Sequence, residues 1–366
     1  MDQIKVLYDY QMFSIQKYGG ITRYFTEIIK NLPPNISYSL PLLFTENQHL
    51  RENKTIAKQT HFIPSSNFKG KYYLNKFLRT VNHRYSARQI AKNDFDILHP
   101  TFYDDYVLQN LKKPLVVTVH DLILYKVNDP VYNTNPRRQQ MKNMITKADR
   151  IIAISNNTKK DVVEVFNIHP DNIDVVYHGF NYPKEITEEN RYGRYVLFVG
   201  QRGHHKNFKT FVEAIAPILN KDRELKLICV GPPMSDAEHK DLNSLKIGEQ
   251  VIAMNVNDST LNMLYAYALL FVYPSLYEGF GMPILEAFAN DCPVCLSNAS
   301  CFPEIARDAG TYFDPSDRES IHAAMHGLIY NETLRSHKAQ LGRSRLSEFS
   351  WEKAAVQTAG CYEKTF

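Results

Sequence analysis

Short runs rich in Val, Ile and Tyr recur along the chain, and between several of them apolar residues return every three or four positions. The first pattern is that of buried strands and the second that of amphipathic helices, so their alternation predicts parallel βαβ units. In the first half, strands are expected at "IKVLYDY", "ISYSLPLLF", "DILHP", "PLVVTVH", "RIIAIS" and "IDVVYHG", with "ITRYFTEIIKNL" as one intervening helix. A second series runs through "YVLFVG", "LKLICVG", "QVIAMNV", "ALLFVYPS" and "CPVCLS". Between the two series, "FNYPKEITEENRYGR" (180–194) is polar, charged and aperiodic. The repeated alternation predicts an α/β protein of two doubly wound, Rossmann-like domains facing each other across a cleft, 1–180 and 195 onward, with 181–194 as linker. Ligands of such sheets sit at the carboxyl ends of the strands, so chemistry is sought in the loops there.

Composition agrees with this picture and removes some function classes. A chain of 366 residues exceeds what one core usually serves, and 44% hydrophobic against 22% charged residues is the balance of a globular protein. A formal net charge of +4 does not demand a nucleic-acid partner. The start, "MDQIKVLYDYQMF", lacks the basic and apolar regions of a signal peptide. No run approaches the ~18 apolar residues of a membrane span, so a cytoplasmic location is expected. Five cysteines fit reduced core thiols. "CPVC", Cys292 to Cys295, has zinc-like spacing, but it lies in an expected strand and no second pair completes a site, so no metal site is expected. "DFD", Asp94 to Asp96, precedes its strand, the wrong end for an acidic metal motif.

Candidate chemistry gathers at strand ends. In "YPSLYEGFGMPILEAFAN" (273–290), Gly279 and Gly281 permit a tight turn and Pro283 suits the first turn of a helix. The unpaired N–H groups at that helix start, about Gly281 to Ile284, form an anion site. Glu278 lies in the loop and Glu286 one turn inside the helix, so the two acids do not act as one pair. Favourable interaction with the helix dipole would explain Glu286 alone, leaving Glu278 and the glycines unexplained. In "VGQRGHHKNF", Arg202 and Lys206 stand after the first strand of the second domain, where two cations can hold a diphosphate. "KYGG" puts Gly19 and Gly20 at a helix start; it is not a GxGxxG fingerprint, which disfavours a nicotinamide cofactor. His120 ends "PLVVTVH", at the cleft edge of a buried strand.

With its glutamate, seven intervening residues and second glutamate around Gly-Phe-Gly-Met-Pro, the stretch resembles the signature of retaining glycosyltransferases of family 4, also called group 1, which have the GT-B fold. Further motifs carry the resemblance along nearly the whole chain: "YGGITRYFTEI", "VVTVHDL", "IIAISNNTKKDV", "VVYHGF", "LFVGQRGHHKNF", "PEIARDAGTYFDP" and "FSWEKAA". One departure is that Gln201 occupies the slot where many relatives have the arginine, and Arg202 follows it. The resemblance implies an acceptor-side first domain, a nucleotide-sugar-binding domain over 195–345, and a helix over 346–366 that packs back on the first domain. It implies that Glu286 holds the ribose and that Glu278, with the backbone of Phe280, Gly281, Met282 and Pro283, grips the sugar. Arg202 and Lys206 would bind the diphosphate, Gly19 and Gly20 would approach the donor, and the base would lie near Asn255 and Val256. His120 would contact the donor sugar and steady positive character at its anomeric carbon. The donor substrate would be a nucleotide diphosphate sugar, with no metal or other cofactor; a mannose-type sugar on GDP, passed to a surface glycan in a bacterium, is the specific expectation. A nucleotide-sugar epimerase and a non-catalytic sugar-binding protein are the alternatives.

One charge feature stands apart. Residues 67–93, "NFKGKYYLNKFLRTVNHRYSARQIAKN", carry Lys69, Lys71, Lys76, Arg79, Arg84, Arg88 and Lys92 with no acid, interleaved with aromatics. Such a helix either lies on an anionic membrane surface, giving a peripheral location, or is solvated with its aromatics packed on the domain.

Overall fold

The Val- and Ile-rich runs form parallel strands in the computed structural model, which describes every residue except Met1, Asp2, Ser65, Asn67, Lys184, Glu185 and Thr187, and for His204 the backbone alone. Asn67 of the basic segment and three residues of the expected linker thus lie outside the described residues. The chain divides into two units, one of 1–179 with 350–366 and one of 180–349.

The first unit holds strands β1 (Ile4–Leu7), β2 (Ile36–Ser39), β3 (Phe44–Thr45), β4 (His61–Phe62), β5 (Ile97–Leu98), β6 (Val116–Val119), β7 (Arg150–Ala153) and β8 (Ile173–Val175). The orders β2-β1-β5 and β6-β7-β8 are bridged by a parallel contact between Leu98 and Leu115, so the two triplets continue one another. The expected strand "ISYSLPLLF" is broken in two. Around Pro41 the Leu42 N–H turns back to the Leu40 carbonyl (2.9 Å), a bend of γ-turn type that a ladder cannot accommodate. The short strand after it, β3, pairs with β4 instead, a strand the apolar pattern does not announce.

The terminal helix runs Trp351–Thr365 and buries Ala354, Ala355, Thr358, Ala359 and Tyr362, the three-and-four spacing of one apolar face. It shares a core with Tyr8, Tyr24, Phe25 and Ile28. It starts later than the expected 346: Leu346–Glu348 form a separate turn, Phe349 still belongs to the other unit, and Ser350 caps the helix by accepting the Lys353 N–H (3.2 Å). The Tyr362 hydroxyl lies between Tyr8 Oη (2.8 Å) and His99 Nδ1 (2.6 Å). Gly179, the last residue before the chain leaves this unit, abuts Trp351 so closely that a Cβ would fall 2.2 Å from its backbone nitrogen.

The second unit is a six-stranded sheet of β9 (Tyr195–Val199), β10 (Lys226–Val230), β11 (Val251–Met254), β12 (Leu270–Tyr273), β13 (Val294–Ser297) and β14 (Gly310–Phe313). Its order is β11-β10-β9-β12-β13-β14, all parallel, so the winding reverses between β9 and β12. That switch point is where loops diverge and a ligand can enter. Strand β14, "GTYF", escapes the apolar pattern because it opens on glycine and is only half-buried in its middle. The segment expected as a free linker belongs to this unit; Glu188 accepts from the Thr260 hydroxyl (3.2 Å) and Tyr192 packs edge-on to Tyr195.

Four histidines of the first unit are buried, His49, His99, His120 and His178, and the last three lie around the core beneath the terminal helix. Burial holds His99 and His120 down to about 3 and His178 well below its ordinary 6.5. Each stays neutral in the native state while the unfolded chain takes up a proton below pH 6.5, so stability falls as pH drops through that value. For His99 and His120 the linkage amounts to about 2 kcal/mol each between pH 7 and pH 5, and His178 acts in the same direction. Thermal melts across that range should show a steep acid loss, made shallower by His99→Asn; a flat profile contradicts the neutral burial.

Candidate functional site

Strand β9 ends at the switch point and its loop, Gly200 to Asn207, carries Lys206. The Lys206 ammonium donates to Glu278 Oε1 at 2.5 Å and to the Tyr273 hydroxyl at 3.4 Å, and lies over the Tyr273 ring. His205 Nε2 stands 3.9 Å from the same carboxylate oxygen. Both side chains of the ion pair remain partly open to solvent, at 18% and 16% exposure, so the pair is held by the protein and still reachable. Burial and the neighbouring Glu278 carboxylate push the Tyr273 phenol well above its ordinary range, which keeps it a neutral hydroxyl beside the lysine.

The two loops are braced from several sides. The Leu276 N–H donates to the His205 carbonyl (2.7 Å), and Asn207 Nδ2 reaches the Pro315 carbonyl (2.7 Å). Ser300, in the left-handed region (φ 55°), receives the Glu278 N–H (3.2 Å) and donates its hydroxyl to the Glu278 carbonyl. The Cys301 thiol approaches the same carbonyl (3.4 Å) and is pushed up by burial and by the Glu278 charge, so it stays a thiol.

Arg202 is placed otherwise than the diphosphate role expects. Its Nε pairs with Glu238 (2.7 Å), its Nη2 donates to the carbonyls of Pro232 (2.7 Å) and Pro233 (2.8 Å), and its side chain is only 4% exposed. Nη1 alone is buried without a hydrogen bond among the described residues. This arginine straps the loop after β9 to the loop after β10. Gly231 makes the approach feasible, since a Cβ there would sit 2.4 Å from the Gly200 carbonyl oxygen.

The helix Met282–Ala289 begins at Gly281, whose φ of 90° suits glycine, with Pro283 in the first turn. Phe280 is buried edge-on to Phe349. Glu286, one turn further, accepts from the Tyr265 hydroxyl (3.2 Å). Asn255 is exposed and Val256 half-buried just beyond β11. The switch point thus brings Lys206, Glu278 and the Phe280–Pro283 helix start into adjoining loops, and Asn255 and Val256 follow the edge strand of the same sheet.

His120, Gly19 and Gly20 belong to the first unit. The helix Gly20–Lys30 opens on Gly19, which has extended backbone (φ 173°), and carries Tyr24 edge-on to the His120 ring at 5.1 Å. The His120 N–H donates to the Tyr103 hydroxyl (3.2 Å), while Nε2 is buried with no hydrogen-bond partner among the described residues. A neutral imidazole with one free ring nitrogen can meet a polar ligand but does not bring a charge. Among the described residues, no group of three or more His, Cys, Asp or Glu is disposed around a metal ion.

Two α/β units of Rossmann type, the second with its reactive groups at the switch point, define the GT-B class of glycosyltransferases. The likeness to known proteins agrees. Residues 18–182 match the model for "Glycosyltransferase Family 4" and 183–345 that for "Glycosyl transferases group 1", and the chain belongs to this family. It is 28% identical over 283 residues to O-antigen chain mannosyltransferase B of Escherichia coli, covering 72% of this chain and 73% of that one. With the MMP alpha-(1->4)-mannosyltransferase of Mycolicibacterium hassiacum it shares 26% over 302 residues, 76% and 73% of the two chains. The fold matches the crystal structure of Anabaena Alr3699/HepE in complex with UDP and glucose, with a TM-score of 0.72, 15% identity and coverage of 99% and 100%.

Ser300 and Tyr273 are residues of this site that sequence reasoning passed over. Serine in a loop carries no signal of its own, and only its place three residues before the "PEI" motif marks it. Replacing Ser300 with Ala leaves the Glu278 peptide without its clamp and should lower kcat/KM roughly tenfold, about 1.4 kcal/mol, with melting little changed. Wild-type kinetics in Ser300→Ala would show that the clamp does not matter.

Proposed function

We propose that the chain is a retaining hexosyltransferase that moves a hexose, mannose from GDP-mannose in the first instance, to a glycan or lipid-linked glycan during bacterial surface polysaccharide assembly of O-antigen or capsule type. It works without a metal ion or other cofactor, in the cytoplasm at the inner face of the membrane. The observation that carries this reading is the Lys206 ammonium held at 2.5 Å from Glu278 at the switch point of the second sheet. The names of the relatives favour mannose, while the Anabaena neighbour binds UDP, so the base is the open part of the donor.

In this reading the difficult event is departure of a nucleoside diphosphate, and the protein's main task is to meet the charge that builds on the leaving oxygen. Lys206 does so directly, joined by the N–H groups of Gly281 and Met282, since Pro283 has none and that of Ile284 donates to the Gly281 carbonyl (2.9 Å). Arg202 contributes mainly by fixing the loop, its Nη1 being the one arm not already engaged among the described residues. Glu278 gives the sugar hydroxyls an acceptor and keeps the lysine in place; Glu286 receives the ribose hydroxyls, and the base lies by Asn255 and Val256. In the first unit, Gly19 and Gly20 leave room beside the donor, and neutral His120 supports the electron-poor sugar carbon. Retention follows if the acceptor hydroxyl enters on the face the diphosphate leaves, its proton passing to the departing phosphate oxygen.

A panel of GDP- and UDP-sugars, scored by thermal stabilisation and slow hydrolysis, tests the donor. GDP-mannose is expected to stabilise most and to release GDP, with α-mannose as the first anomer seen by proton NMR. Lys206→Ala should lower turnover at least about a hundredfold with the fold intact. A panel without any stabilising donor, sugar isomerisation with no nucleotide released, or near-normal turnover in Lys206→Ala would overturn the reading.

A further inference from the structure

The basic segment is divided by its own helix in a way the sequence pattern hides. The helix Lys71–Lys92 buries Asn82, Ser86 and Ile90 along its second half. Its inner face is tied down by polar contacts: Asn82 Nδ2 donates to Ser14 Oγ and the Phe44 carbonyl (2.8 Å each), and Arg79 Nε donates to the Ser14 carbonyl (3.1 Å). Lys71 is spent in the same way, on Glu46 (3.2 Å) and on the carbonyls of Ser66 (2.7 Å) and Pro64 (3.1 Å). The helix is therefore fixed in rotation, and what points outward does so by construction.

What points outward at its leading end is aromatic. Tyr72 is 74% exposed, Tyr73 75% and Phe77 64%, with Phe68 and Leu74 also exposed beside them. Aromatic side chains of this size seldom stand free in such number within ten residues, and they make a patch that calls for a partner. Exposed Lys69 and Lys76 are interleaved with them, and Tyr73, Phe77, Arg84 and Arg88 follow one another down the outward face at helical spacing. The gradient runs along the helix axis, apolar at the tip and cationic behind, with Arg88 about 22 Å from Tyr73 at 1.5 Å per residue. Residues of the first unit number 26 Lys and Arg against 18 Asp and Glu, and the second unit reverses this at 17 against 21. The segment 67–93 alone supplies seven of those cations and no acid.

We infer that this helix tip is a docking surface for an anionic lipid bilayer, resting on the proposed function only in that a lipid-linked acceptor would be met there. Tyr72, Tyr73 and Phe77, with Phe68 and Leu74, enter the interfacial zone of the bilayer, where amphipathic rings are favoured, while Lys69, Lys76, Arg84 and Arg88 face the phosphates. Charge complementarity selects the occupant: an apolar patch ringed by uncompensated cations matches a surface with hydrocarbon beneath anions. Lys71 takes no part, because Glu46 already holds it.

Flotation of the full chain with vesicles, without donor or acceptor, tests this separately from catalysis. Binding is expected to vesicles of phosphatidylcholine with about a third phosphatidylglycerol, not to pure phosphatidylcholine, and should weaken at 0.5 M salt. Tyr72→Ser/Tyr73→Ser/Phe77→Ser should lower the bound fraction at least tenfold with the melting curve unchanged, and Lys69→Glu/Lys76→Glu should lower it with a flatter salt dependence. The inference is overturned if the wild type stays unbound, if the triple variant floats like the wild type, or if sedimentation shows a wild-type dimer that the triple substitution dissociates. A failed flotation leaves the donor panel untouched, and a failed donor panel leaves the flotation untouched.

Discussion

The ion pair between Lys206 and Glu278 joins two loops 72 residues apart in sequence, and the chemistry of the second unit is arranged around it. An ammonium at the end of a parallel strand costs desolvation, and a carboxylate beside it repays that only when the geometry is held by other contacts. Here those contacts are present. Tyr273 supports the lysine, Ser300 clamps the peptide of the glutamate, and the Leu276 bond to His205 fixes one loop against the other. Because both partners keep some solvent contact, a diphosphate arriving as proposed would find its cation in place and would not have to order a free side chain, which is where pre-organised sites gain their advantage.

The remaining loops serve this arrangement. Arg202 binds the segment after β10 through Glu238 and two proline carbonyls, and Gly231 lets the strand ends approach to contact distance. Asn207 brings in the segment after β14. In the first unit, Tyr362 of the terminal helix completes a buried hydrogen-bond chain through His99 to Thr118, one residue from the strand end that leads to His120. The terminal helix is thus a structural member of that unit.

Strands with continuous apolar runs were legible because such runs leave little choice: β1, β6, β7, β9, β10, β12 and β13 lie where the pattern puts them, and so does β11, although it is half-buried throughout. The pattern is silent on β14, which opens on glycine, and on the two-residue β4, and it reads through Pro41, whose effect is a local turn. The late start of the terminal helix depends on where Leu346 and Phe349 find a core, which no local signal states. For the candidate site, Glu278, Gly281 and Glu286 stood out in the sequence through one motif, and Lys206 through its place in the loop after β9. The true partner of Arg202 was not, since Glu238 lies 36 residues on and meets it only through the sheet. Nor was Ser300, whose part is played by a hydroxyl and a left-handed backbone rather than by a residue type that announces chemistry.

The central claim is that Lys206, held by Glu278, is the group that receives the diphosphate. Calorimetric titration with GDP and GMP, or UDP and UMP if uridine proves to be the base, isolates it, because the two ligands differ by one phosphate. The account predicts that the wild type binds the diphosphate at least about tenfold more tightly than the monophosphate, about 1.4 kcal/mol, and that Lys206→Ala abolishes the difference while monophosphate affinity stays nearly the same. A preference for the diphosphate that survives intact in Lys206→Ala would contradict it.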